Sequence, residues 1–180
     1  VVVGGAGVGK SAVTLRFVRS EFIAVYEPTV EDAYRKHVET DGEVGVVEII
    51  DTAGTDQFRT MRDLYYRNSD GFLLVCSTEQ ATSVQEMIEI REQIVRVKDT
   101  EDVPIVIALN KTDADPQNWR VDKENVKKLA KEWKATLFLT SAKNNENIEE
   151  CFSSLISQTR NLNKKKSKSK SKKHSACPLL

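Results

Sequence analysis

The chain has the length and composition of one globular domain, with 180 residues of which 39% are hydrophobic and 30% charged. It has no run of about 20 apolar residues that would cross a membrane, and we expect no signal peptide. The net charge is zero, but residues 164–173 hold seven lysines and no acid, which leaves about −7 on the remainder. This asymmetry predicts that one end alone is attracted to an anionic surface.

Alternating apolar runs and helical repeats predict a doubly wound α/β domain. The strands are predicted at residues 1–3, 44–50, 72–76, 103–109 and 136–139. Their continuous apolar runs are typical of parallel strands that are covered on both faces. The helical repeats lie at residues 84–95, 126–133 and 148–156. Because the first strand is so short, we expect the numbering to begin inside it.

One pair of strands is predicted to be antiparallel. Residues 29–39 and 43–51 flank Asp41-Gly42, a strong signal for a tight hairpin turn. We therefore expect an antiparallel strand at one edge of a domain that spans residues 1–162. Residues 163–180 cannot build a core and are predicted to form a disordered basic tail. The three widely spaced cysteines, Cys76, Cys151 and Cys177, indicate reduced cytosolic thiols.

The segment after the first strand has the spacing of a phosphate-binding loop. It reads GGAGVGKS and matches G-x-x-x-x-G-K-[ST] between a predicted strand and a predicted helix. Glycines let backbone N–H groups converge on phosphate oxygens, Lys10 reaches the β- and γ-phosphates, and the Ser11 hydroxyl ligates Mg²⁺. The alternative is a glycine-rich turn that happens to hold Lys-Ser. The nucleotide-binding residues predicted here are Gly5, Ala6, Gly7, Val8, Gly9, Lys10, Ser11 and Ala12.

Two later motifs specify the base of the nucleotide. ALNKTD ends a predicted strand, and its Asp113 carboxylate accepts hydrogen bonds from the N1–H and the 2-amino group of guanine. Adenine lacks this pair of donors and would leave the carboxylate unpaired. Asn110 and the stem of Lys111 are expected to orient and cover the ring. The TSAK motif adds Ser141, Ala142 and Lys143, with the Ala142 backbone N–H facing the guanine oxygen.

The DTAG motif predicts contacts to the metal and to the γ-phosphate. Asp51 is placed to bind Mg²⁺ through water, and the Gly54 N–H is placed to face the γ-phosphate. Alone, each of these later motifs is a common polar turn. Four motifs in this order, each after a strand, make chance a poor explanation.

With these motifs the chain resembles the small GTPases of the Ras superfamily over nearly its whole length. YEPTVEDAYRK is similar to the effector segment of the Ras and Rap branch, and DTAGTDQFRTMRDLYYRNSDGF is most similar to Rap. The resemblance implies a six-stranded, mostly parallel sheet, helices on both faces and a switch between GTP and GDP. It also implies that Thr29 ligates Mg²⁺, that Phe22 lies against the guanine and that Tyr26 lies over the phosphates. The residues expected to act in catalysis are Lys10, Tyr26, Thr29, Gly54 and Thr55.

Two residues depart from the family pattern. Thr55 replaces the glutamine that orients the attacking water in most Ras relatives, as in Rap-like members, and Ala6 replaces a loop glycine. The Ala6 methyl either hinders a catalytic group brought by a partner or is tolerated because it is small. We expect slow hydrolysis that depends on a GTPase-activating protein and, for reloading, on an exchange factor. The alternatives are a GTP-bound module that recruits effectors constitutively and, less compatible with the intact metal ligands, a GDP-locked structural protein.

The effector surface is predicted to be an exposed edge strand that a Ras-binding-type domain extends with a strand of its own. Glu31 and Asp32 either attract a basic partner or only protect the edge by charge. Val25 is uncharged where Ras and Rap relatives often carry opposite charges, so the choice between their effectors stays open. The effector residues are Tyr26, Glu27, Pro28, Thr29, Val30, Glu31, Asp32, Ala33 and Tyr34.

The C-terminal sequence predicts a membrane anchor. CPLL fits C-a-a-X, and the final leucine favours geranylgeranylation of Cys177. The lysine tract supplies the second signal, toward an anionic leaflet, so we expect the cytoplasmic face of the plasma membrane or of endomembranes. A nuclear address or a nucleic-acid patch is the weaker interpretation, because the tract lacks aromatic residues. Phosphorylation of the interleaved serines is predicted to weaken attachment.

Overall fold

Six strands and five α-helices build the described part of the chain, which is residues 1–24, 31–53 and 59–174 of a computed structural model. The strands are β1 (Val2–Val3), β2 (Glu31–Thr40), β3 (Glu43–Thr52), β4 (Phe72–Ser77), β5 (Ile105–Asn110) and β6 (Thr136–Leu139). The helices are α1 (Lys10–Arg19), α2 (Arg59–Asn68), α3 (Thr82–Lys98), α4 (Lys123–Glu132) and α5 (Ile148–His174). A short 3₁₀ turn, Pro116–Asn118, lies between β5 and α4.

The strands form a single sheet in the order β2-β3-β1-β4-β5-β6. β1 pairs in parallel with β3 and β4, and β4–β5 and β5–β6 are parallel as well. β2 pairs antiparallel with β3 and forms one edge. The predicted fold, six-stranded and mostly parallel with one antiparallel edge strand and helices on both faces, is confirmed.

The turn between β2 and β3 follows from its two central residues. Asp41 and Gly42 both have positive φ, 56° and 73°. Two successive positive φ values give the type I′ geometry whose twist matches that of the flanking strands, and glycine adopts it without steric cost. The predicted hairpin turn is therefore present at the predicted residues.

Side chains of β4 and β5 fill two cores, one on each face of the sheet. Both strands are buried along their whole length, and their successive residues alternate between the two cores. On one face Phe17 of α1 stacks on Phe152 of α5, with the ring centroids 3.9 Å apart. On the other face Tyr66 of α2 packs edge-on against Phe72, at 5.8 Å. The prediction of strands covered on both faces is thus confirmed for β4 and β5, whereas β3 and β6 are partly exposed.

The two cysteines within the described residues are buried free thiols, Cys76 and Cys151. Burial raises the pKa of Cys76 to about 12 and also raises the pKa of Cys151. Both side chains therefore stay protonated and serve as core residues. The third cysteine, Cys177, lies outside the described residues.

The last helix, α5, is described from Ile148 to His174, and the predicted disorder of the basic tail after residue 162 stays a prediction. The last buried residues of α5 are Leu155 and Ile156, and Lys164 and Lys165 are exposed. Among the described residues, no helix has both the length and the apolar character to cross a membrane.

Candidate functional site

The predicted motifs meet at one edge of the sheet. β1, β3, β4, β5 and β6 run parallel, so the loops after them lie together at their carboxyl ends. These loops contain GGAGVG after β1, the end of DTAG after β3, NKTD after β5 and TSAK after β6. The sequence therefore concentrates its chemistry where ligands bind in open α/β sheets.

The glycine loop is held by close backbone contacts. A Cβ on Gly4 would lie 2.1 Å from the Val75 carbonyl oxygen, and a Cβ on Gly9 would lie 2.4 Å from Asn110 Nδ2. Gly9 has φ of 99° and is the N-cap of α1, and as a glycine it caps the helix without a side-chain hydrogen bond. The first N–H groups of α1 and the positive end of the helix dipole form an anion-binding site.

Lys10 spans this loop from the first turn of α1. Its side chain is buried, and Nζ donates a hydrogen bond to the Gly5 carbonyl oxygen at 2.7 Å. A buried ammonium group is costly to desolvate unless oxygen acceptors surround it. Its position in the cradle fits the phosphate contact that was predicted for it.

Asp51 and Ser11 fit a magnesium site. Asp51 is 1% exposed, and among the described residues neither of its carboxylate oxygens accepts a well-formed hydrogen bond. Burial raises the pKa of Asp51 to about 6, while the nearby Ser11 hydroxyl and Lys10 ammonium oppose the rise. A buried carboxylate beside a hydroxyl supplies the hard oxygen ligands that Mg²⁺ binds directly or through water. Thr29, the other predicted ligand, lies outside the described residues.

Replacing Asp51 with asparagine is expected to stabilise the nucleotide-free protein at pH 7.5 by roughly 2–3 kcal/mol. The folded pKa of about 6 exceeds the unfolded value of 3.8, so wild-type stability rises as the pH falls from above 6 to about 4. The stability advantage of Asp51→Asn should therefore be smaller at pH 5 than at pH 7.5. In this variant Mg²⁺ should no longer tighten nucleotide binding. Urea unfolding at both pH values measures this, with the exposed Asp102→Asn as control. A gain that is equal at both pH values would contradict the prediction.

A cavity of about 310 Å³ lies beside the phosphate cradle. Asp113 Oδ1 accepts a hydrogen bond from Ser141 Oγ at 2.6 Å, and Lys143 Nζ lies 4.0 Å from Oδ2. Ser141 thereby fixes the carboxylate that was predicted to read the base. A larger cavity of about 590 Å³ lies between β3, α2 and α5 and contains none of the predicted site residues. The smaller cavity is lined by Gly9, Ala12, Phe22, Glu79, Asn110, Lys111, Asp113, Ala114, Ala142 and Lys143.

Asn110 connects the two halves of the site. Its Nδ2 donates to the Val8 carbonyl oxygen at 3.0 Å, and its Oδ1 accepts from the Ala142 N–H and the Thr140 hydroxyl, each at 3.3 Å. Asn110 and the Ala142 N–H bond to each other in this structure, and their predicted contacts with guanine stay a prediction. Asn110 is buried, and a buried amide needs internal partners for its donors and acceptors. Asn110 therefore ties the phosphate loop to the TSAK loop.

Several residues at the site were missed by the sequence analysis. Arg16 of α1 holds the TSAK loop, with Nε donating to the Ala142 carbonyl at 2.8 Å and Nη2 to the Lys143 carbonyl at 3.0 Å. Residues 78–80, directly after β4, contact both the glycine loop and the NKTD loop. The signal for these residues was present, because they too follow a parallel strand at its carboxyl end.

Part of the predicted site lies outside the described residues. This part comprises Tyr26, Glu27, Pro28, Thr29, Val30, Gly54, Thr55 and Cys177. Asp32, Ala33 and Tyr34 lie on β2, at the edge of the sheet, and the Tyr34 hydroxyl donates to Asp32 Oδ2 at 3.3 Å. Asp32 and Ala33 are exposed. The predicted effector strand is thus an edge strand with exposed side chains.

A comparison with protein-family models gives one match, to the Ras family, over residues 1–161. The match covers most of the chain and includes the GGAGVGKS, DTAG, NKTD and TSAK motifs, whereas the lysine tract and the C-terminal CPLL lie beyond it. The chain belongs to the Ras family. It is accordingly a small GTPase, a class that binds GTP and GDP, typically with Mg²⁺, and works with exchange factors, GTPase-activating proteins and effectors. The glycine loop, the Asp51 carboxylate and the cavity beside Asp113 fit the phosphates, the metal and the guanine of such a nucleotide.

Proposed function

We propose that this Ras-family protein is a membrane-tethered switch that hydrolyses GTP slowly and recruits effectors through β2 when GTP is bound. The observation that carries the nucleotide part is the cavity in which Ser141 orients Asp113 beside a glycine loop and a buried lysine. A Rap-like character is supported by the similarity of residues 51–72 to the corresponding segment of Rap proteins.

Calorimetry on nucleotide-free protein tests the central part of this proposal. With Mg²⁺ present, GDP and GTP should bind tightly and ADP should give no detectable heat, because adenine cannot satisfy the Asp113 carboxylate. Binding of ADP with the same affinity as GDP, or no heat from any guanosine nucleotide, would overturn the proposal.

Slow hydrolysis is proposed from Ala6 and Thr55. Ala6 is exposed on the glycine loop and is not among the residues with positive φ, so its methyl group is accommodated without backbone strain. The methyl group instead occupies space at the loop surface, where a partner's catalytic group would approach the γ-phosphate. Thr55 is too short to orient the attacking water as glutamine does.

Ala6→Gly is expected to raise hydrolysis stimulated by a GTPase-activating protein by about tenfold or more, because one misplaced catalytic group costs at least that factor. Intrinsic hydrolysis should change much less. Single-turnover GTP hydrolysis with and without a Rap-type activating protein measures both, and the exposed Ala24→Gly serves as control. Equal stimulated rates for wild type and Ala6→Gly would show that the methyl group has no catalytic effect.

The second candidate function is a constitutive recruiter that holds GTP almost permanently, which Ala6 and Thr55 favour. The nucleotide bound to freshly purified protein separates the two functions. Mostly GDP supports a cycling switch, and mostly GTP supports the recruiter.

Effector recruitment is proposed for the β2 edge because its outer backbone groups have no neighbouring strand in the sheet. A partner domain that adds a strand here would satisfy these groups, and exposed Asp32 would favour a basic partner surface. Binding of GTP-loaded and GDP-loaded protein to Ras-type and Rap-type effector domains tests this and resolves which branch the protein serves.

Membrane attachment is proposed through geranylgeranyl Cys177 and the lysine tract, at the cytoplasmic face of the plasma membrane or of endomembranes. Each lysine near an anionic leaflet contributes about 1 kcal/mol to the free energy of membrane binding. A single lipid chain needs this additional contribution for stable anchoring. Ser167→Glu together with Ser169→Glu should lower binding of the lipidated protein to phosphatidylserine vesicles about tenfold, and leave binding to neutral vesicles unchanged. An unaltered vesicle-bound fraction would refute the charge mechanism.

A further inference from the structure

The segment after β4, residues 78–80, contacts both loops that surround the nucleotide site. Thr78 donates from its backbone N–H to the Asn110 carbonyl at 3.0 Å and from its hydroxyl to the Lys111 carbonyl at 2.9 Å. Glu79 forms an ion pair with Lys111 Nζ at 3.1 Å, and Gln80 Nε2 donates to the Ala6 carbonyl at 3.2 Å. One short stretch thus holds the glycine loop and the base-reading loop at once.

At the base end, the contacts hold a residue with disfavoured backbone geometry. Lys111 has φ of 66°, in the left-handed region that side chains with a Cβ rarely adopt. Such a conformation persists only where its surroundings enforce it. Thr78 binds the Lys111 carbonyl and Glu79 binds its ammonium, so this segment fixes both the backbone and the side chain of Lys111, which lines the 310 Å³ cavity with Glu79.

At the phosphate end, the amide of Gln80 lies over the glycine loop. Its Nε2 would be 3.6 Å from a Cβ placed on Gly7, and its Oε1 is buried without a hydrogen-bond partner among the described residues. The Ala6 carbonyl accepts but cannot donate, which fixes the orientation of the amide with Nε2 toward the loop. The loop cannot move outward at Ala6 without breaking this bond.

The two side chains do not cap the neighbouring helix α3, whose N-cap is Ala81 and has no side-chain hydrogen bond. The backbone of the segment is held by Ser83, whose hydroxyl donates to the Gln80 carbonyl at 2.6 Å and accepts from the Ser77 N–H at 3.1 Å. The Glu79 and Gln80 side chains are therefore available to act on the site.

We propose that Glu79 and Gln80 are positioning residues that slow nucleotide release, Glu79 through the base-reading loop and Gln80 through the phosphate loop. The inference rests on the guanine-nucleotide binding proposed above. Release requires the two loops to separate from the ligand, so contacts that hold each loop in its binding geometry raise the barrier to dissociation. Neither residue is assigned a chemical step.

Displacement of a fluorescent GDP analogue by excess GDP tests this through the release rate. Gln80→Ala should release the analogue about three- to tenfold faster, the range for a lost neutral hydrogen bond. Glu79→Gln should release it about two- to fivefold faster at low salt and at the wild-type rate in about 1 M salt, because a half-exposed ion pair is screened. The two factors should multiply in the double variant.

Matched controls come from the neighbouring helix α3. Gln85 and Glu89 are exposed and hydrogen-bond each other at 3.3 Å, away from the site, so Gln85→Ala and Glu89→Gln should keep the wild-type release rate. Glu79→Asp retains the charge and should restore part of the retention lost in Glu79→Gln.

Competition by GDP and GMP separates positioning from general destabilisation. Gln80→Ala should lower the affinity for GDP more than the affinity for GMP, because Gln80 holds the glycine loop, which surrounds the β-phosphate that GMP lacks. Glu79→Gln should lower the affinity for both nucleotides equally. Release rates equal to wild type in both variants, or losses that only follow a lowered unfolding midpoint, would overturn the inference. If wild type itself binds no GDP in calorimetry, the proposed function fails; if wild type binds and the variants are unchanged, this inference alone fails.

Discussion

Asp113→Asn should lower GDP affinity by about 100-fold or more, the largest effect on binding that we expect from one side chain. The Asp113 carboxylate accepts a hydrogen bond from the Ser141 hydroxyl at 2.6 Å and lines the cavity. Among the described residues that line this cavity, the other acidic side chain is Glu79, which pairs with Lys111. An amide offers one acceptor and one donor, so its N–H₂ group would confront one of the two donors of guanine. A base with a carbonyl in place of the 2-amino group should therefore be preferred by the variant.

Competition of GDP and xanthosine diphosphate for the same site measures this change in selectivity. Asp115→Asn is the matched control, because Asp115 lies outside the cavity and caps the 3₁₀ turn, a role that asparagine also fills. Unchanged preference for guanine in Asp113→Asn would exclude Asp113 as the residue that selects the base.

Gly4→Ala should destabilise the fold by about 3 kcal/mol or more and abolish tight nucleotide binding. The added Cβ would lie 2.1 Å from the Val75 carbonyl oxygen, a backbone atom of fully buried β4, and the φ of 152° is unfavourable for alanine. Neither β1 nor β4 can move without disturbing both cores. Urea unfolding and GDP affinity measure the two losses.

Gly5→Ala is the control for this prediction. Its Cβ would meet the Glu86 carboxylate, the far end of a flexible and partly exposed side chain that can turn away. We expect a cost of about 1 kcal/mol or less. Equal losses for the two alanine variants would contradict the argument from the Val75 carbonyl.

The sequence predicted those features that depend on short-range pattern. Strand and turn positions followed from apolar runs and from Asp41-Gly42, and the motifs were found because each follows a strand in a parallel sheet. Asn110 could not be placed from sequence, because its partners Val8 and Ala142 are 102 and 32 residues away. The contact of Gln80 with Ala6, 74 residues away, was hidden for the same reason.

The free edge of β2 limits how many partners can bind to this strand at the same time. A sheet accepts one additional strand along one edge, and β2 pairs on its other side with β3 over its full length. Two proteins that both add a strand to β2, as proposed above for effectors, would therefore exclude each other on a single molecule, whereas β6 at the opposite edge would stay open. The relative abundance and affinity of the two competitors would then decide which of them is bound to a given copy of the protein.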